Sequence, residues 1–489
     1  MNRQALRVLI QNGSLLGLAA GMVILVTGCQ TYKPPMESWR QGNVQEAAKQ
    51  FTAKAQKNKN NKDTIVWRLE QGAALRAAGQ YQESIAAFDA AEERINSYDD
   101  KAKTSISHET AALLSNQANL PYRGRDYDKV MLNAYKALNF LQLGDPNKAR
   151  NEFIRGAQRQ QDAEENNKRR IEKSEEAVEK LKELKDDKGK PIKGADKAKE
   201  MADKAQSDTN FNNQVQSSYG YLDAFKFKTN YVNPFVYYLD ALFFLTADSG
   251  RSDLERARDS FRFTLGSIGE NKFIMQDLEM MDQVLQGTAI PPTTYVIFET
   301  GCAPERGQIK LIVPLFIAGV ANVPTVHAAF PTLKLQEGQM PSLNVTAGGT
   351  NETTVLLSSM DSVVRQSFKN ELPTIITKTL ISTAIKAGAA FGVNKSMEKQ
   401  EVWTRLLVKL ILIALQEFAN IADTRTWNTL PKEFQFCRIP TPPDRKLELS
   451  GPSGASKVEV TVGEGIVNLI YVKSTSATNA LNVTQIKLK

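Results

Sequence analysis

GAALRAAGQYQESIAAFDAA, residues 72–91, decides the reading of the N-terminal half. Gly72 precedes a Gly79-Gln80-Tyr81 turn, and Ser84, Phe88 and Ala91 follow it at helical spacing. A small residue and an aromatic four positions apart share one helical face. The small one admits the neighbouring helix and the aromatic fills the space beside it. A glycine such as Gly79 ends the preceding helix. The pattern recurs as Gly42…Ala47…Phe51 and as Gly144…Ala149…Phe153, the last preceded by Ala137. Ala257…Phe261 repeats the small–aromatic pair without the glycine. These spacings predict helix packed on helix over residues 37–288.

Taken together, Gly72, Gly79, Tyr81, Ser84, Phe88 and Ala91 resemble the tetratricopeptide repeat. Phe51 and Phe88 are 37 residues apart, near the 34 of that repeat. The following gaps of 65 and 108 residues interrupt the array. The same spacings also suit a generic antiparallel bundle. The resemblance implies a concave face that holds a protein segment and carries no chemistry.

Residues 161–207, in the gap between the third and fourth instances, have 13 acidic and 13 basic residues and no aromatic. Pairs such as Glu165 and Arg169 at i,i+4, with a thin seam of Ile171, Val178, Leu181 and Leu184, predict a charged helical hairpin. A solvated, unstructured second arm is the alternative. Residues 219–244 then hold 10 of the 38 aromatics, with Asn233-Pro234-Phe235 opening a helix at 235–245. Tyr219, Tyr221 and Tyr231 precede that helix and are the candidate partner-binding aromatics.

At the N-terminus, Arg3 and Arg7 are followed by an uncharged stretch, 8–32, with an apolar run at 15–26. This predicts a secretory signal peptide over residues 1–28. The run closes on Val26-Thr27-Gly28-Cys29, which resembles the lipobox of bacterial lipoproteins. That resemblance implies cleavage before Cys29, acylation of its sulfur and amino group, and a lipid membrane as partner. Gln30, where inner-membrane lipoproteins usually carry Asp, implies the outer membrane, with the periplasm as the default side. Residues 29–36, with Pro34-Pro35, are expected to be a short tether.

After Pro291-Pro292 the pattern changes. Residues 294–298, 309–313, 433–439, 447–449, 458–460, 466–472 and 481–488 read as strands. Helices are expected at about 360–390, broken near Pro373, and at 402–422, where Arg405, Lys409 and Glu417 argue against a membrane span. The fold class is therefore multidomain: tetratricopeptide-like helices with a charged insert, then an α+β domain at 291–489 with a mainly antiparallel sheet. With Cys29 acylated, Cys302 and Cys437 remain as candidate disulfide partners in an oxidising compartment.

Glu299-Thr300-Gly301-Cys302-Ala303-Pro304, Ala328-Ala329-Phe330-Pro331 and the stretch from Ala422 through Asp423-Thr424-Arg425-Thr426-Trp427-Asn428-Thr429-Leu430 to Pro431 resemble a family of uncharacterised bacterial lipoproteins. Asn233-Pro234-Phe235 fits the same pattern. That family joins a tetratricopeptide-like half to a β-rich half. Its members are often encoded near lipoproteins resembling activators of peptidoglycan synthases, which implies an accessory role in peptidoglycan synthesis as one alternative.

Composition narrows the function. With only His108 and His327, a histidine-dependent enzyme or a His-rich metal site has little to work with. Asp423 and Arg425 read as an ion pair that fixes a turn; no second acid at a recognisable spacing makes a hydrolase of them. Gly348-Gly349 and the glycines at 451–454 lack any nucleotide-binding pattern. A net charge of +8 over 489 residues is no footprint for nucleic acid. The sequence thus predicts a lipid-anchored scaffold or adaptor of the cell envelope that binds protein, with no cofactor, no metal and no catalytic residues; an envelope hydrolase whose two acids only the fold brings together is the further alternative.

Overall fold

The computed structural model describes residues 33–104, 117–179, 195–223, 233–247, 250–316, 323, 325–396 and 421–489 without 453 and 455. The signal peptide, Cys29, Tyr231, His108 and residues 402–420 of the helix expected at 402–422 lie outside the described residues; Ile421 and Ala422 are not helical.

The helical half runs α1 (Lys33–Arg40), α2 (Val44–Lys57), α3 (Thr64–Ala77), α4 (Tyr81–Thr104), α5 (Asp126–Gln142), α6 (Pro146–Glu179), α7 (Ala195–Gln206), α8 (Thr209–Tyr219), α9 (Pro234–Thr246), α10 (Arg251–Ile268) and α11 (Lys272–Leu285). Neighbours in sequence pack as hairpins: α2 on α3, α3 on α4, α5 on α6, and α9 on α10. The turns close where the sequence demands it. Gly79 and Gly144 adopt φ of +77° and +73°, a region an L side chain enters only with strain.

Three expectations change here. The tether begins to fold early: Pro35, Met36 and Trp39 of α1 are buried, because the core offers Trp39 more contact than water does. The charged insert is no separate arm at its base. α6 continues from the repeat as one 34-residue helix. α7 docks on a later helix through Ala198, Ala202 and Ala205, a small-residue face that allows close approach.

The C-terminal half contains β1 (Thr293–Thr300), β2 (Glu305–Pro314), β3 (Thr325–Lys334), β4 (Asn344–Ala347), β5 (Thr350–Thr353), β6 (Val355–Ser359), α12 (Met360–Ser396), β7 (Glu433–Pro440), β8 (Lys446–Ser450), β9 (Val458–Thr461), β10 (Val467–Ser474) and β11 (Asn482–Lys487). α12 is the helix against which α7 packs. It passes through Pro373 unbroken; the ring lies on the exposed side, where water is available to the carbonyl that loses its donor. The main sheet has the order β11-β10-β1-β7-β6, with β1 and β10 parallel and the other pairs antiparallel. β2-β3 and β5-β4-β8-β9 form two smaller antiparallel sheets. Among the described residues no helix is long and apolar enough to cross a membrane.

The candidate disulfide does not form: Cys302 and Cys437 are both free and buried. Register explains it. Cys437 faces Val296 across β1 and β7, whereas Cys302 lies beyond the end of β1. A disulfide needs Cα atoms within about 7 Å.

Every residue of β1 is buried, because both faces of the central strands are covered. One face meets the helices. Phe434 stacks on Phe235 of α9 at 3.7 Å, and Phe436 packs on Tyr238 at 4.6 Å and on Phe273 of α11 at 5.6 Å. Asp277 of α11 is enclosed there, accepting from Tyr238 and Tyr295 at 3.0 and 2.8 Å and pairing with Arg438 at 3.0 Å. Burial raises its carboxyl to about 6 against the pull of Arg438. One hydrophobic cluster runs from Met36 to Ile486 through both halves.

Candidate functional site

The repeat-packing residues lie buried between successive helices, and Phe88 also reaches the base of a groove. Ala47, Phe51, Ser84, Phe88, Ala149, Phe153, Ala257 and Phe261 are all buried. Gly72 lies directly beneath the Phe88 ring: a Cβ there would sit 2.5 Å from it. Ser84 Oγ donates to the Gly72 carbonyl at 2.6 Å, which ties α4 to α3 at that crossing. Tyr81 is half-buried at the start of α4. With one side of α3 packed on its neighbours, its other side and that of α5 form a face open to an extended chain.

That face holds a segment of the protein itself. Residues 421–432 run along it without regular secondary structure. Trp427 is wedged between Phe88 and Tyr135, both at 5.8 Å between ring centroids, and its Nε1 donates to Thr429 Oγ1 at 2.9 Å. Glu70 of α3, fully buried, reads the backbone. Its Oε1 accepts from Asn428 N at 2.7 Å and Asn428 Nδ2 at 3.1 Å, and its Oε2 accepts from Thr429 N at 3.0 Å. Burial pushes the Glu70 carboxyl up to about 7, moderated by those donors. Tyr127 and Thr426 share a hydroxyl–hydroxyl bond at 3.2 Å.

A buried charge cluster fixes the upstream end. Arg425 pairs with Asp423 at 2.7 Å and with Asp63 at 3.0 Å, and donates to the Leu120 carbonyl at 2.7 Å. Arg125 donates to the Arg425 carbonyl at 2.8 Å and to Tyr122 Oη at 2.8 Å. Arg306 of β2 pairs with Glu371 of α12 at 2.9 Å, and Ala422 N donates to Gln308 Oε1 at 2.9 Å. Burial would raise Asp423, but Arg425, Arg125 and Arg306 hold it below the usual carboxylate range. The Asp423–Arg425 pair is thus structural, and it ties the segment to the helices as well as fixing its own turn.

A cleft next to this groove is lined by Arg76, Tyr135, Glu299, Tyr471 and Lys473. Arg76 lies over the Tyr471 ring at 4.7 Å, and Glu299 accepts from Tyr471 and Lys473. Burial works against the Glu299 anion, yet Lys473 and Arg76 keep its carboxyl below the usual range. The interior is about 30 Å³, room for one water and not for a metabolite. Among the described residues no three His, Cys, Asp or Glu side chains gather as a metal site.

The candidate aromatics divide. Tyr219 is buried, packed on Phe368 with its hydroxyl donating to the Pro331 carbonyl at 2.7 Å, so it is a core residue. Tyr221 is exposed. Sequence reasoning passed over Glu70, Arg125, Arg306 and Glu371. A lone Glu amid Ile65, Val66, Trp67, Leu69 and Gly72 was the available signal for the first.

The fold defines a mixed α+β protein: packed helical hairpins joined to an α+β half. Its repeat-like character rests on the packing of Gly72, Ser84 and Phe88. No protein-family model and no curated protein matches the chain. Among solved structures it is similar to a tetratricopeptide repeat protein from Parabacteroides merdae ATCC 43184, at 13% identity over 53% of this chain and 98% of that chain, with a TM-score of 0.14.

Proposed function

We propose that the protein is a non-enzymatic scaffold of the bacterial cell envelope, held on the outer membrane by acyl groups on Cys29 and facing the periplasm. The observation that carries the scaffold reading is the groove. It recognises an extended chain by a buried aromatic wedge and by carboxylate bonds to backbone N–H groups, a mode suited to holding protein rather than transforming it. Because residues 421–432 fill that groove, a partner meets the molecule on its outer surfaces. The lipid anchor is supported by the charge and apolar pattern of residues 1–28 and by the sequence that ends in Cys29. Two measurements test the reading. Palmitate should label the wild-type chain and not Cys29→Ala; label retained in that variant overturns the anchor. Crosslinking in intact cells should join the anchored chain to a defined envelope protein, and the purified chain should leave glycan and peptide substrates intact. Cleavage of either substrate overturns the scaffold.

A further inference from the structure

The molecule's first two helices carry an excess of cations that nothing in the fold uses. Residues 33–62 hold seven basic side chains against Glu37 and Glu46. Arg40 pairs with Glu305, and Lys62 donates to the Ala118 carbonyl. Lys33, Lys49, Lys54, Lys57 and Lys59 have no ion pair among the described residues, and all but the half-buried Lys54 are exposed. The facing acids are spoken for: Glu46 accepts from Gln50, and Asp63 is bound by Arg425.

Their placement is not random. Three residues join α1 to α2, and Gly42 turns the chain at φ +75°, so the two helices run side by side in opposite directions. α1 spans about 12 Å, which brings its first residue, Lys33, beside the C-terminal half of α2. Lys54, Lys57, Lys59 and Lys62 therefore cluster at the end where the chain enters the fold. Cys29 precedes Lys33 by four residues, a span of at most about 14 Å.

We propose that this end of the molecule docks on an anionic phospholipid surface, with Lys33, Lys54, Lys57 and Lys59 as the contacts. The inference builds on the anchored reading above, since acyl groups at Cys29 would bring this face to the bilayer. It adds a second attachment and sets which end of the molecule faces the membrane. Each lysine near an anionic surface strengthens partition about fivefold, so removing three weakens it roughly a hundredfold at low salt.

The test uses the mature chain with Cys29→Ser, so that no acyl group contributes, and co-sedimentation with vesicles. Binding should be seen with phosphatidylglycerol mixed into phosphatidylcholine and not with phosphatidylcholine alone, and should weaken as salt rises. The Lys54→Gln, Lys57→Gln, Lys59→Gln triple variant should lose it while keeping its circular dichroism, and Lys446→Gln, an exposed lysine on β8, should not. Equal binding to both vesicles, no binding to the anionic ones, or an unaffected triple variant overturns the proposal. Palmitate labelling of Cys29 is read separately, so failure of the anchor and failure of the docking face are distinguishable.

Discussion

Trp427→Ala tests whether the segment at 421–432 is part of the helical core or merely lies on it. Trp427 is 1% exposed and sits between Phe88 of α4 and Tyr135 of α5. Truncating a buried Trp or Phe to Ala costs about 3–5 kcal/mol through lost transfer energy and the cavity left behind. Both rings that would line the new cavity belong to helices fixed by other contacts, so the site has little means to collapse. The upper part of that range, about 4–5 kcal/mol, is expected. That is a large share of the roughly 5–15 kcal/mol that holds a typical fold together. The assay is urea unfolding of the mature chain followed by far-UV circular dichroism, which reports mainly helix, and near-UV signal, which reports packed aromatics. Because one cluster joins the halves, both probes should move together to lower urea. A loss under about 1 kcal/mol would refute the wedge. So would a shift in one probe alone, because it would mean that the halves unfold independently.

Gly72→Ala places a methyl against the Phe88 ring, and should destabilise by about 1–3 kcal/mol as overpacking, measured in the same unfolding experiment. A thiol titration of unreduced mature Cys29→Ser protein should find two reactive groups once denatured and almost none when native, since burial raises Cys302 to about 11 and Cys437 further. Glu70 gives a pH signature. Its folded carboxyl is raised to about 7 from 4.5, so the native state holds the proton more tightly than the unfolded chain. Stability from this group is fullest below pH 4.5 and falls by about 1.4 kcal/mol per pH unit as pH rises towards 7. Glu70→Gln should remove that slope, while Asp277, raised to about 6, keeps its own at lower pH; a wild-type slope unchanged in Glu70→Gln would contradict the assignment.

Much of this architecture is local and was therefore legible. The small–aromatic pairs from Ala47–Phe51 to Ala257–Phe261 report helix packing because they need only one face and its neighbour. The strands at 294–298 and 466–472 stood out because both faces are buried and their apolar runs are nearly continuous, and 433–439 because Phe434, Phe436 and Ile439 punctuate polar neighbours. Strands β3 to β6 did not. β3 carries Pro331, and β4 and β5 are four residues each. Gly348 and Gly349, both at positive φ, were the turn signal that marked β4 and β5 as a hairpin. The groove itself left almost no local trace. The stretch at 421–432 has neither helical nor strand period, and its structure is dictated by side chains that lie hundreds of residues away, such as Glu70. The cysteine pairing failed for the same reason: it depended on the register of β1 with β7, which no spacing along the chain reveals.

The charged cluster above Trp427 then has a role distinct from the wedge. Burying Arg125 and Arg306 with the half-buried Arg425, Glu371, Asp423 and Asp63 gains little net stability, because the desolvation of each ion offsets the attraction between them. What the cluster does supply is register. An aromatic wedge alone tolerates a chain that slides, since an apolar slot accepts any residue of similar size. Sliding residues 421–432 by one position would present Asn428 to the rings of Phe88 and Tyr135 and carry the Trp427 indole to the place of Thr426, beside Tyr127. It would also separate Arg425 from both Asp63 and the Leu120 carbonyl, leaving buried charge uncompensated. The pairs to Asp63 on the helical side, and the Arg125 donation to the Arg425 carbonyl, thus select one alignment out of several that hydrophobic burial permits. Glu70 repeats the selection from below, because only two adjacent N–H groups in the right phase satisfy both of its oxygens.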